Sequence, residues 1–290
     1  MSGGDHGQGP FLLLIVKHIF HPTDLGADGL PAFHHALRIA VAARGSLTVL
    51  HVSSAPEALQ DHLPQSRRTL AEWGMLAHEH DTAGLRTLGI GVKKVVADGS
   101  DPVEACLNYL GRHPTDLIVL TTHQRSGRTV WGARSVSEPL ARAAGGSTLL
   151  LPVGRAGFVR AHDGRVDLRR VLVALGDPRE SRAATREAVR MAELLAPEGL
   201  EVHLLHVGED ELPVPALDHR SIRSITKHVR SGDVVEGILS VSAELPVDLV
   251  VMASRGHDGF LDALRGSTTE RVLRQVTCPL LVGTVSPDAA

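Results

Sequence analysis

The sequence predicts an α/β protein made of two tandem domains, each a doubly wound parallel sheet. Three observations lead to this fold class. Short apolar runs alternate with amphipathic segments along the chain, which is typical of βαβ units. Aromatic residues make up only 3% of the chain, so the cores must be aliphatic, as in sheets that are buried on both faces. The second half of the chain then repeats the order of the first.

Five apolar runs in the first half are interpreted as strands. They span residues 12–20, 47–52, 92–96, 117–120 and 148–151. Residues 32–44 are predicted to form a helix, because Phe33 and Val41 fall on one helical face. Asp101 and Pro102 supply an N-cap and a first-turn proline for another helix. A further helix is predicted in the long stretch before residue 92, from the apolar set Leu70, Trp73, Leu76 and Ala77.

The second half repeats this order of elements. Its predicted strands span residues 171–175, 202–207, 225–229, 249–253 and 280–284, with helices near 183–195 and 234–244. Short strings match between the halves, because both contain Leu-His-Val, at residues 50–52 and again at 205–207. The period of roughly 150 residues is the size of an independent domain, so the pattern indicates a duplication.

The repeat sets the expected domain boundaries. Residues 1–10 are interpreted as a disordered tail, 11–153 as the first domain, 154–168 as a polar linker and 169–286 as a shortened second domain. The shortening lies between the second and third strands of the second copy. Pro213 and Pro215 interrupt that stretch, and proline costs about 3 kcal/mol in a helix interior, so a full crossover helix is not expected there.

Composition excludes several classes of protein. A net charge of −3 provides no basic field for nucleic acid or an anionic membrane. The apolar run that begins at Phe11 is too short to span a membrane and lacks the features of a secretory signal. Cys106 and Cys278 cannot form a disulfide framework, which favours a cytoplasmic protein. The 17 histidines show no ligand spacing, so no metal site is predicted.

The most informative loop follows the strand at residues 249–253. Gly256 and Gly266 would let the backbone approach a ligand closely, and backbone amides there can bind an anion. Ser267 and Glu270 have the spacing of a helix capping box, which by itself is usually structural.

This loop resembles the signature of the universal stress protein family, G-x2-G-x9-G-[ST]. Gly256, Gly266 and Ser267 match its second, third and fourth positions, and Ala253 replaces the first glycine. The resemblance covers nearly the whole chain twice and implies a fold of the adenine nucleotide alpha-hydrolase type. It also implies that the loop holds the phosphates and ribose of ATP, while Asp177 and the residues ending at Val207 border the adenine and ribose.

The first copy departs further from the same signature. Thr121, Gln124 and Arg134 stand where the family has its three glycines, and Ser135 is retained. Two further positions of the first copy match the family's site, Asp24 and Val52. A side chain in place of glycine fills the space that a phosphate needs, so a weaker site or none is expected here. The alternative is that the arginines of this loop bind an anion in another way.

The resemblance favours an adenine-nucleotide-binding protein of stress response or signalling. ATP is the expected ligand, with ADP, AMP and an accompanying Mg²⁺ as open alternatives, and a protein partner would respond to occupancy. Two other classes stay open: a nucleotide-free interaction scaffold and a slow ATPase or adenylyl-transfer enzyme, although the sequence assigns no catalytic residue. Family members pair through the last strand, so the two copies are expected to form an intrachain pseudo-dimer, with a homodimer as a further option.

Overall fold

The structure is a computed structural model that describes residues 16–54, 62–122, 140, 146–196, 199–209, 220–254 and 268–285. We call residues 16–152 the N-terminal half and residues 169–285 the C-terminal half. The expected tail at residues 1–10 lies outside the described residues.

Ten strands of the described residues, five in each half, form the framework. They are β1 His18–Pro22, β2 Ser46–Ser53, β3 Gly91–Asp98, β4 Leu117–Thr122, β5 Ser147–Pro152, β6 Arg170–Leu175, β7 Leu200–Val207, β8 Ile222–Arg230, β9 Leu249–Ser254 and β10 Leu280–Thr284. The α-helices of the described residues are α1 Leu30–Ala43, α2 Ser66–Glu72, α3 Thr82–Leu88, α4 Pro102–Leu110, α5 Pro178–Leu195, α6 Val234–Glu244 and α7 Thr268–Leu273. The strand-helix alternation predicted from the sequence is therefore confirmed.

All ten strands belong to one continuous sheet, in the order β3-β2-β1-β4-β5-β10-β9-β6-β7-β8. Within each half the strands are parallel, as predicted. The halves meet where β5 and β10 pair antiparallel, with Leu149 opposite Leu281. The parallel sheets of the two halves are joined edge to edge, because their last strands hydrogen-bond directly to each other. This is the edge-to-edge pairing expected of an intrachain pseudo-dimer.

Helices cover both faces of this sheet and enclose two cores. On the first face, α1, α2 and α5 bury apolar side chains in a core that runs through both halves. On the second face, α4, α6 and α7 pack over the other core. The predicted N-cap of α4 is confirmed, since Asp101 Oδ1 accepts hydrogen bonds from the N–H groups of Val103 and Glu104 at 3.0 and 3.3 Å.

The crossover between the second and third strands differs between the halves. In the N-terminal half it contains α2 and α3 rather than the single predicted helix, since α2 ends at Glu72 and Gly74 takes a left-handed φ of +70°. Val96 on β3 packs against the core beneath this crossover. Val229 on β8 holds the same register position and is 64% exposed. The prediction that the shorter crossover has no full helix falls mostly on residues 210–219, outside the described residues.

The segment that connects the halves, residues 154–168, packs against the N-terminal half. Phe158 and Val159 are buried in the first core, and their N–H groups donate to His35 Nε2 on α1 at 3.0 and 3.1 Å. Trp73 Nε1 donates to the carbonyl oxygen of Ala161 at 2.9 Å. The residues predicted as a polar linker thus also contribute buried apolar side chains, and hydrogen bonds hold them to the N-terminal half.

Candidate functional site

In each half, along the edge formed by the carboxyl ends of the strands, there is a point from which the chain continues to opposite faces of the sheet. In the C-terminal half, β6 leads into α5 on the first face, while β9 leads toward α7 on the second. These two strands are neighbours in the sheet, so their boundary is a topological switch point. Ligands of open α/β sheets bind at such switch points.

Two aspartates align the halves residue by residue. Asp116 Oδ2 accepts hydrogen bonds from the N–H groups of His18 and of the residue before it, both at 2.8 Å. Asp248 Oδ2 does the same for Arg170 and the residue before it, at 2.8 and 2.7 Å. His18 and Arg170 therefore occupy equivalent positions at the start of β1 and β6.

This alignment shows one difference between the halves. Six residues after His18 comes Asp24, but six residues after Arg170 comes Gly176. Counted from these equivalent strand starts, Asp177 lies one residue further along the chain than Asp24 does.

Asp177 is engaged in starting helix α5. Its Oδ1 accepts hydrogen bonds from the N–H groups of Arg179 and Glu180 at 2.8 and 2.9 Å. Its own N–H donates to Glu180 Oε2 at 3.2 Å, which completes a capping box, and Pro178 occupies the first helical position. Partial burial raises the pKa of Glu180. Asp177 therefore lies beside the switch point, but one of its carboxylate oxygens is already used to hold the helix.

The other described site residues of the C-terminal half lie at strand ends. Val207 ends β7, and α6 approaches it so closely that a Cβ on Gly237 would come within 2.7 Å of Val207 Cγ2. Ala253 is the second-last residue of β9 and pairs with Gly283 on β10. The sheet order places β7 and β9 on either side of β6, so both residues flank the carboxyl end of that strand.

A histidine near the end of the second strand differs between the halves. His51 and His206 occupy equivalent positions. Ser46 pairs with His18 and Glu201 pairs with Arg170, and each histidine lies five residues beyond that paired residue. His51 Nδ1 donates to the carbonyl oxygen of Thr23 at 2.8 Å. Both ring nitrogens of His206 are buried, and neither has a hydrogen-bond partner among the described residues. The sequence shows the two histidines as identical, so only the structure reveals this difference.

The profile of the universal stress protein family matches two stretches of the chain, residues 16–152 and 215–283. The chain belongs to the universal stress protein family. A search of curated proteins found no match to it.

Solved structures with the same fold cover nearly the whole chain. A universal stress protein from Archaeoglobus fulgidus DSM 4304 is 21% identical with a TM-score of 0.63, covering 95% of this chain and 99% of that one. A functionally unknown protein from Pseudomonas aeruginosa PAO1 is 15% identical with a TM-score of 0.61, covering 94% of both chains. A putative universal stress protein from Pseudomonas aeruginosa UCBPP-PA14 is 16% identical with a TM-score of 0.55, covering 94% of both. These similarities establish the tandem fold.

Six loop residues at the signature positions of the universal stress protein family lie outside the described residues. These are Gly256, Gly266 and Ser267 in the C-terminal half, and Gln124, Arg134 and Ser135 in the N-terminal half. Of the first copy's remaining site positions, Asp24 Oδ1 accepts a hydrogen bond from Gly26 N–H at 2.9 Å, and Val52 lies near the end of β2. Thr121, at a signature glycine position, lies on β4.

Other reactive side chains of this universal stress protein family member are buried or paired with each other. Burial raises the pKa of the Cys106 and Cys278 thiols to about 12, which disfavours the nucleophilic thiolate. His203 Nδ1 lies 3.1 Å from His228 Nε2, a pairing that the sequence did not indicate. The described part of the chain contains no cluster of three or more metal-ligating side chains. None of its described helices is long and apolar enough to cross a membrane.

Proposed function

We propose that this chain is an adenine-nucleotide-binding protein of stress response or signalling, with one ATP site in the C-terminal half. ADP and AMP fit the same proposal, and Mg²⁺ would accompany the polyphosphate. The observation that carries the proposal is the switch point between β6 and β9, after which the chain continues to helices on opposite faces of the sheet. In this half, the loop that follows β9 also retains two glycines of the family signature.

Each end of the nucleotide has a proposed set of partners. Gly256, Gly266 and Ser267 would hold the phosphates through backbone amides and a hydroxyl, beside Ala253 at the end of β9. Asp177 and Val207 would border the nucleoside, and Asp177 also fixes the start of α5. The weaker set of the N-terminal half, Asp24, Val52 and Ser135, would not hold ATP because Gln124 and Arg134 replace glycines.

Titration calorimetry with ATP, in the presence and absence of Mg²⁺, tests this proposal. Gly266→Arg should weaken binding by more than about a hundredfold, because two lost charge-assisted hydrogen bonds are worth roughly 3 kcal/mol or more. The matched control is Arg134→Gly, which restores one glycine in the N-terminal half and should not create a second site. Unchanged ATP affinity in Gly266→Arg would show that the site has been assigned to the wrong half or the wrong loop.

A second candidate function is a nucleotide-free scaffold for a protein partner. It is favoured by β8, the outermost strand of the described part of the sheet, where Ile225 and Val229 are 43% and 64% exposed. Mass spectrometry of small molecules released from the purified protein separates the two candidates. Recovered ATP, ADP or AMP supports the first candidate, whereas protein that neither carries nor binds nucleotide supports the second.

A further inference from the structure

Two histidines face each other across the neighbouring strands β7 and β8. His203 Nδ1 lies 3.1 Å from His228 Nε2, and the two ring centroids are 5.2 Å apart. Both side chains lie on the second face of the sheet. His228 stands in register with Leu205, which is two residues beyond His203 and is buried in the second core. The two histidines themselves are only partly buried, so solvent reaches the pair.

The N-terminal half shows that this strand framework does not need histidines here. By the strand alignment given above, Thr48 on β2 holds the position of His203, and Val95 on β3 holds the position of His228. Val95 packs against the second core. The same framework therefore forms with a hydroxyl side chain and an aliphatic one, and the sheet itself imposes no histidine at either position.

The spacing of the two ring nitrogens fits a shared metal ion. Imidazole nitrogens bind Zn²⁺ at about 2.0–2.1 Å, so two of them 3.1 Å apart would subtend about 100° at the metal. This angle lies between the roughly 90° of square-planar or octahedral ligands and the roughly 109° of tetrahedral ones. The proton of His203 would then be on Nε2 and that of His228 on Nδ1, which leaves the two facing lone pairs free.

The surroundings favour the neutral form of both imidazoles, which is the form that binds metal ions. Burial lowers the pKa of His203 and of His228. The neighbouring ring of His228 lowers the pKa of His203 further, and Arg230 does the same for His228. At neutral pH the pair therefore presents ring lone pairs rather than two positive charges.

Two carboxylates act on the pair, but each is engaged in an ion pair. Glu201 Oε2 lies 3.3 Å from Arg170 Nε, and Glu244 Oε2 lies 3.1 Å from Arg230 Nη2. The described part of the chain groups no third metal-ligating side chain with the two imidazoles. Water would complete the coordination shell, so we expect micromolar rather than nanomolar affinity.

We propose that His203 and His228 form a two-histidine site for a borderline divalent metal ion, Zn²⁺ or Cu²⁺. Imidazole suits these ions, whereas Mg²⁺ and Ca²⁺ prefer oxygen ligands. The ion would link β7 to β8, the outermost strand of the described part of the sheet. No spacing in the sequence indicates this site, because the two histidines are 25 residues apart. The inference does not depend on the proposed function, since neither histidine belongs to the proposed nucleotide site.

Titration calorimetry of the untagged full chain with Zn²⁺, without nucleotide, tests the site. His203→Thr and His228→Val install the residues that the N-terminal half has at these positions. Each should weaken Zn²⁺ binding at least about tenfold, the loss expected when even a residue that merely orients a metal ligand is removed. The matched control is His113→Leu, which removes an exposed histidine of the N-terminal half and should leave the affinity unchanged.

Several results of this titration would overturn the inference. They are wild-type protein that binds no Zn²⁺, equal affinity in wild type and both variants, and an equal loss in His113→Leu. Thermal unfolding checks that the variants fold. Excess Zn²⁺ should raise the melting temperature of wild type by a few degrees and leave that of His203→Thr and His228→Val unchanged. Equal Zn²⁺ shifts in all of them would also overturn the inference.

Electron paramagnetic resonance with Cu²⁺ provides a readout that needs no substitution. One equivalent of Cu²⁺ added to the wild-type chain should show coupling to two imidazole nitrogens, and His203→Thr should lose this signature. Coupling to fewer than two imidazole nitrogens in wild type overturns the inference. ATP affinity should be the same in wild type, His203→Thr and His228→Val, so failure of the metal site and failure of the proposed function are distinguishable.

Discussion

The two halves share one strand framework but differ in what surrounds it. Both have five parallel strands in the same order, and both start their first strand on an aspartate, Asp116 or Asp248. The N-terminal half is covered by a two-helix crossover and by the connecting segment, and its His51 is tied to a backbone carbonyl. In the C-terminal half Val229 is exposed and His206 is unpaired among the described residues. The comparison teaches that two copies of one strand framework can differ in how their outer strands are covered and how their strand ends are hydrogen-bonded.

Lowering the pH should produce the largest difference in stability between the two halves. Burial lowers the pKa of both His21 and His35 to about 4, although hydrogen bonds to Val119 and Pro31 oppose the shift. Their native pKa values lie below the unfolded value of 6.5, so the unfolded chain binds more protons and stability falls as pH drops from 6.5 toward 4. Between pH 7 and pH 5 each histidine should cost about 2 kcal/mol of unfolding free energy, roughly 4 kcal/mol together.

Hydrogen exchange at the two pH values measures this effect in each half. The N-terminal half should lose protection first, since the shifted histidines of the C-terminal half, His203 and His228, are partly exposed. A matched control is His21→Val, which installs the residue that the C-terminal half has at that register position, Val173. It should remove about half of the acid effect. Stability that does not change between pH 7 and pH 5 would contradict this account.

The connecting segment provides the next largest contrast. Phe158 is buried against α1, and its ring packs edge-on to His35 with centroids 4.5 Å apart. Phe158→Ala should lower the unfolding free energy by about 3 kcal/mol, through lost burial and the cavity that remains. Urea unfolding measures the loss, and hydrogen exchange should locate it mainly in the N-terminal half. A loss below about 1 kcal/mol would mean that the segment is a linker without a packing role.

The smallest contrast uses two valines at one register position. Val96 pairs with His51 and packs against the core, whereas Val229 pairs with His206 and is mostly exposed. Val96→Thr should cost about 1 kcal/mol because it places a hydroxyl among apolar side chains, and Val229→Thr should stay within about 0.5 kcal/mol of wild type. Chemical denaturation of the two variants side by side measures the difference. Equal costs would indicate that the two crossovers protect β3 and β8 alike.

Local sequence patterns predicted the framework well because the inner strands of each half are buried on both faces. The aliphatic runs that became β2 and β7 and the Asp101 cap of α4 need only near neighbours to be recognised. The end of helix α2 near Gly74 also had a local signal in the sequence, because a glycine interrupts the apolar pattern of the single predicted helix.

Contacts between distant residues account for what the sequence did not reveal. His35 lies 123 residues from Phe158, so the pattern of either segment alone could not show that they meet. Phe158 and Val159, adjacent apolar residues in a polar stretch, were the available hint. The one-residue difference between Asp24 and Asp177 became visible only from the strand register. For the same reason, the free ring of His206 could not be distinguished from the tied ring of His51.

The number of ATP molecules bound per chain tests the central claim most directly. Native mass spectrometry of the full chain, titrated with ATP, counts occupancy without assuming equal affinities. The account predicts that occupancy stops at one nucleotide per chain and that Gly266→Arg reduces it to none. Two nucleotides per chain, or one that persists in Gly266→Arg, would contradict the claim that only the C-terminal half has retained the site.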